Sequence, residues 1–209
     1  MSAANKKKFS TVALLLIPIG IAINFVGGQV AILLKLPIFI DVIGTILVGA
    51  LTGPFLGALT GLATNLILGI TSPTALPYAI VSIAVGWAAG YAAKKGWFTS
   101  VKGVIFASIL IWAVTQLTAN PVTVFVFGGV TGGGSSAVTL FLIQAGQSLW
   151  SSVIGAAVIT ETIDKIISVI VVYALIKAIP NRTLLQFPLG GQYIDQSHFA
   201  KEENEDDWN

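Results

Sequence analysis

The chain contains no cysteine, a single histidine and very little charge. Without cysteine there is no disulfide, no thiolate nucleophile and no cysteine-based metal site. His198 lies in a polar tail, where a solvated imidazole is expected rather than a ligand, so neither a metal nor a cofactor is expected. Charged residues make up 10% of the 209 residues, 55% are hydrophobic and the mean hydropathy is +0.89, which leaves too little polar surface to cover a soluble globule. The apolar runs are long and unbroken instead of alternating, which excludes an outer-membrane barrel and leaves helices as the spanning structure. No Walker-type phosphate loop and no hydrolytic triad occurs, so neither catalysis nor a nucleic-acid partner is expected.

The most organised stretch runs from Gly49 to Gly69, GALTGPFLGALTGLATNLILG, in which GALTG occurs at 49–53 and again at 57–61. Gly49, Gly53, Gly57 and Gly61 therefore fall four residues apart, with Asn65 and Gly69 in the same register. On a helix this spacing makes a smooth stripe that lets another backbone come close. Pro54 cuts the stripe, so two short helices joined at Thr52–Pro54 are expected. The glycines suit either packing inside a membrane bundle or docking of a partner. Asn65, the one amide on the smooth face, suits a helix-to-helix bond or a ligand contact.

Spans are expected at about 9–34, 38–52, 54–70, 77–93, 102–127 and 160–179. The apolar run from Phe9 is too long for a secretory h-region and lacks a small-residue cleavage site, so it is kept as a span. Pro18 is expected to kink it, and Pro121 to interrupt the fifth helix. With the N-terminus inside, this arrangement puts Lys6, Lys7, Lys8, Lys94, Lys95, Lys102, Lys177, Arg182 and Lys201 on the cytoplasmic side, as positive-inside bias requires. Counting 135–159 as a further crossing would reverse Lys177 and Arg182. The expected fold is thus an all-α integral membrane protein in the plasma membrane: six transmembrane helices in a lipid bilayer, both termini cytoplasmic. A long, partly helical outer loop joins helices 5 and 6, and an acidic cytoplasmic tail follows residue 180.

Ionisable residues within spans are few because burying a charge in lipid is costly. Asp41 sits where the second helix is expected to begin, suited to an N-cap or to a ligand. Glu161, Asp164 and Lys165 fall at i, i+3 and i+4 at the expected start of the last helix, where the acids also gain from the helix dipole. Glu161 suits either a neutralised helix start or a ligand contact; for the other two the structural role is favoured. The amides Asn24, Asn65, Gln116, Asn120, Gln144 and Gln147 suit an uncharged, hydrogen-bonding ring compound, with Tyr78, Trp112 and Trp150 as aromatic walls. Trp112, Gln116 and Asn120 share one face of the fifth helix. Trp87 and Trp97 read as membrane-interface anchors.

LPIFIDVIGT (36–45), the glycine ladder, KKGW (94–97), TANP followed by GGVTGGGSS (118–136) and ETIDKIISVIVVYALIKAIP (161–180) together resemble the substrate-binding S component of an energy-coupling factor transporter. The resemblance implies a membrane-embedded subunit that captures a vitamin-like ligand at its outer side. Uptake would be driven by a transmembrane scaffold subunit and two ATPase subunits. It is closest to subtypes that handle pyridoxine or hydroxymethylpyrimidine. The ligand is implied to lie under the connections after spans 1, 3 and 5, here 35–37, 71–76 and 128–159. Members often carry A-x-x-x-A in the first helix for scaffold docking. Here Ala22 is followed at i+4 by Val26, and Gly20 with Asn24 is a nearby small pair, so the ladder of Gly49, Gly53, Gly57 and Gly61 is an alternative docking face. Leucine at Gly57 and Gly61 would then abolish transport but spare ligand binding. The rival expectation is a self-sufficient proton-coupled secondary transporter using Glu161 or Asp164.

Overall fold

The computed structural model describes residues 10–34, 36 and 38–194. The expectations placed on Lys6, Lys7, Lys8, Lys35, Pro37, His198, Lys201 and the acidic tail lie outside these residues. The described chain is all-helical: α1 Thr11–Leu33, α2 Ile43–Thr52, α3 Pro54–Thr71, α4 Ala79–Lys94, α5 Val101–Phe127, α6 Gly134–Gln144, α7 Leu149–Ala178 and the short α8 Asn181–Leu184. Thr11–Ala31 of α1, α3 and α5 are each long and apolar enough to cross a membrane, which marks an integral membrane protein.

Helix α2 is wholly buried, and α3 and α4 pack on it through glycine. Ser82, Gly86 and Gly90 of α4 repeat every four residues and face the ladder. A Cβ on Gly57 would lie 2.5 Å from the Gly86 carbonyl oxygen, one on Gly49 would lie 2.8 Å from the same oxygen, and one on Gly61 would run into the Ser82 carbonyl. The ladder is therefore covered by α4 and is not an open docking surface. Gly20 is likewise closed against Gly44 of α2. Leucine at Gly57 or Gly61 would force α3 from α4. Gly53 makes the tight turn between α2 and α3 at φ 100°.

Two helix starts differ from expectation for physical reasons, and two prolines sit inside helices. Pro121 lies inside α5 and does not end it, because a membrane helix tolerates one missing N–H bond; Pro18 is accommodated in α1 in the same way. Helix α2 starts at Ile43, and Asp41 does not cap it. The first-turn N–H groups of Gly44 (2.7 Å) and Thr45 (3.3 Å) instead donate to Asn24 Oδ1 of α1, so a neighbouring helix supplies the cap. Helix α7 begins at Leu149 rather than near 160 and runs for 30 residues, about 45 Å. Glu161, Asp164 and Lys165 are consequently mid-helix, so the helix dipole is no part of their stabilisation. The expected loop 128–159 resolves into a glycine turn, α6 and the first turns of α7.

The chain after α7 folds back beneath the α2–α3 turn. Leu189 N–H donates to Leu51 O (3.0 Å) and Tyr193 Oη to Ala50 O (2.8 Å). Lys94 also reaches the Gly53 turn, so this end of the bundle brings together that lysine, the turn and the C-terminal turns.

Candidate functional site

At the opposite end, a cavity of about 690 Å³ lies among α1, α3, α4, α5 and α7. It sits under three connections: Leu36, Ile38, Phe39, Asp41 and Val42 between α1 and α2, Thr71, Ser72, Thr74 and Ala75 after α3, and Thr131 to Gly133 before α6. Its size is that of pockets for drug-sized ligands, about 300–1,000 Å³.

Helix α7 supplies the charged wall. The Lys165 ammonium pairs with Glu161 (2.9 Å, i to i+4) and with the adjacent Asp164. Asp164 is fully buried, and its Oδ1 accepts from the backbone N–H groups of Ile40 (2.8 Å) and Phe39 (3.2 Å). That bond holds the segment before α2, in which Ile40 takes a left-handed φ of 52°, a conformation costly for a β-branched residue. Asp164 thus acts as a positioning residue for Asp41, which lines the cavity next to this strained turn. A Cβ on Gly27 would strike the Ile40 carbonyl, so glycine at 27 is what admits the turn against α1.

Five of the residues expected from sequence line the cavity: Asp41, Asn65, Tyr78, Asn120 and Glu161. Asn65 donates to Ser82 Oγ (2.6 Å) and to Gly61 O (3.1 Å). Tyr78 Oη is bonded to Thr123 Oγ1 at 2.7 Å, and its ring stacks on Phe127 with centroids 5.6 Å apart. Asn120 donates to Gln116 Oε1 at 3.1 Å.

The remaining expected residues are elsewhere. Asn24 is fully buried between α1, α2 and α3, where it also donates to Thr45 Oγ1 (2.8 Å) and Thr64 Oγ1 (2.9 Å); its hydrogen-bonding capacity is used in the fold. Trp112 and Gln116 do not line the cavity, and their Nε1 and Nε2 have no hydrogen-bond partner among the described residues. Gln144 and Gln147 are exposed around the end of α6. Trp150 is exposed and packs edge-on against Phe125, centroids 5.5 Å apart. Trp87, also exposed, stacks on Tyr91 on the outer surface of α4.

No protein-family model, curated protein or solved structure matches this chain. The site's own chemistry carries the reading of function.

Sequence reasoning gave Lys165 a structural role and passed over the hydroxyl face of α5. The face that lines the cavity is Thr115, Ala119 and Thr123, one position off the expected Trp112, Gln116 and Asn120 stripe, with Asn120 on its edge. Small and hydroxyl residues at four-residue spacing were the available signal. The site is therefore not a neutral ring of amides: Asp41, Glu161 and Lys165 bring charge to its wall.

Proposed function

We propose that the chain is the substrate-binding S component of an energy-coupling factor type importer. It captures a small ring-containing vitamin or precursor, of the pyridoxine or hydroxymethylpyrimidine kind, for ATP-driven uptake by a scaffold subunit and two ATPase subunits. The observation that supports this best is the 690 Å³ cavity under the same three connections that the family resemblance points to, with polar groups from α3, α4, α5 and α7 converging on it.

In the membrane this reading uses α1 to α5 and α7 as six spans, with both termini cytoplasmic. Helix α6, at 11 residues about 16 Å long, is a partly inserted element of the outer side. The gathering of Lys94, the α2–α3 turn and the C-terminal turns at the end away from the cavity agrees with positive-inside bias. Of the candidate docking residues Gly20, Ala22, Gly49, Gly53, Gly57 and Gly61, Ala22 is the one exposed; the others are buried or form the turn, so scaffold docking falls to the outer face of α1.

The buried acids beside the cavity favour one alternative, a proton-coupled transporter acting alone. Purified chain titrated with pyridoxine and with hydroxymethylpyrimidine, followed by tryptophan fluorescence, tests both. Saturable binding with no uptake by the lone chain in vesicles supports the S-component reading. Uptake driven by a proton gradient without partners refutes it.

A further inference from the structure

Several of the donors that line the cavity are already engaged. Thr115 and Thr160 donate their hydroxyls to their own helices, at Ile111 O (2.8 Å) and Ala156 O (3.0 Å). The amide N–H groups of Asn65 and Asn120 are directed to Ser82, Gly61 and Gln116. The Lys165 ammonium is held between Asp164 and Glu161. Gln29 on the wall keeps a free side-chain amide and so offers donors as well, while Asn65, Asn120 and Asp41 supply acceptors. The amide oxygens of Asn65 and Asn120, on residues only 6% and 7% exposed, accept no hydrogen bond from any described residue. The Asp41 carboxylate lines the cavity without a hydrogen bond or close ion pair to another described residue. A carboxylate offers only lone pairs when ionised.

Charge points the same way. Asp41, Glu161 and Asp164 lie within electrostatic reach of one another and share one cation, Lys165. Three carboxylates against one ammonium leave the site short of positive charge, and buried groups of one sign stabilise a ligand of the other.

Resting on the reading of this cavity as the ligand site, we infer that its ligand is a cationic hydrogen-bond donor. It is a small ring compound bearing an ammonium or protonated ring nitrogen, seated against Asp41 and Glu161, with further N–H or O–H groups directed to Asn65 and Asn120. A neutral ring alcohol leaves the excess carboxylate unmatched and binds more weakly.

Pyridoxamine and pyridoxine make the test direct, because they share a ring and differ by an ammonium in place of a hydroxyl. Both are titrated by calorimetry into the purified full-length chain in detergent. Pyridoxamine is expected to bind at least about tenfold more tightly, the scale of a charge-assisted over a neutral hydrogen bond. In Asp41→Asn the ratio of the two affinities should fall towards one. Equal affinities in the wild type, or a preference for pyridoxine, overturn the inference and leave the S-component reading standing. Retention of the tenfold ratio in both Asp41→Asn and Glu161→Gln also overturns it. Binding of neither compound overturns the inference and the pyridoxine-type reading together. Because the wild-type ratio needs no substitution, a variant that fails to fold does not remove the test.

Discussion

Replacing Asn24 by alanine separates a structural role from a ligand contact. The side chain makes four hydrogen bonds at the junction of α1, α2 and α3: two donated to threonine hydroxyls and two accepted from the first-turn N–H groups of α2. At about 0.6 kcal/mol each, the average for polar contacts between membrane helices, their loss sums to about 2.4 kcal/mol. Counted instead as two buried N–H groups left unpaired, at about 1–3 kcal/mol each, the loss is about 2–6 kcal/mol. For a chain of this size each kcal/mol moves Tm by about 2–4 °C, so thermal unfolding in detergent should fall by at least about 4 °C. Ligand affinity measured well below the transition should change by less than about threefold, because Asn24 does not line the cavity. An unchanged Tm with lost affinity would refute the reasoning and return Asn24 to the binding site.

Lys165→Met should destabilise by about 3–5 kcal/mol, since it leaves Glu161 and Asp164 as buried acids without their cation; a smaller loss in Lys165→Met with Glu161→Gln, read by the same melts, checks the pairing. Gly86→Ala adds a methyl group against the backbone of Gly57 and is expected to cost about 1–3 kcal/mol of stability, whereas Ala22→Val on the exposed face of α1 stays within about 0.5 kcal/mol. Tyr78→Phe removes one bond, to Thr123, and keeps the stacked ring, so a stability loss of about 0.5–1.5 kcal/mol is expected; a loss above about 3 kcal/mol would show that the hydroxyl has a larger role.

Composition and periodicity were enough to determine that this is a helical membrane protein, where most of its helices begin and end, and that Gly53-Pro54 is a turn. These are local or compositional properties: an apolar run must satisfy its own backbone in lipid, and proline and glycine punctuate it wherever they occur. The ladder was legible as a surface for close approach, but its partner was not, because Ser82, Gly86 and Gly90 carry the complementary stripe on a separate helix. For the same reason Asn24, expected at the ligand, caps α2, and Asp41 does not. A cap from the preceding residue is a local event, whereas the cap that α2 receives crosses from α1, some twenty residues earlier. Which amides line the cavity was also decided by the tertiary structure. On α5 the lining residues are Thr115, Ala119, Asn120 and Thr123, so of the expected stripe Asn120 reaches the space while Trp112 and Gln116 do not line it. Tertiary packing alone placed Asp164 on the backbone of Phe39 and Ile40, which sets Asp41 beside Glu161 and Lys165 and gives the cavity its acidic wall.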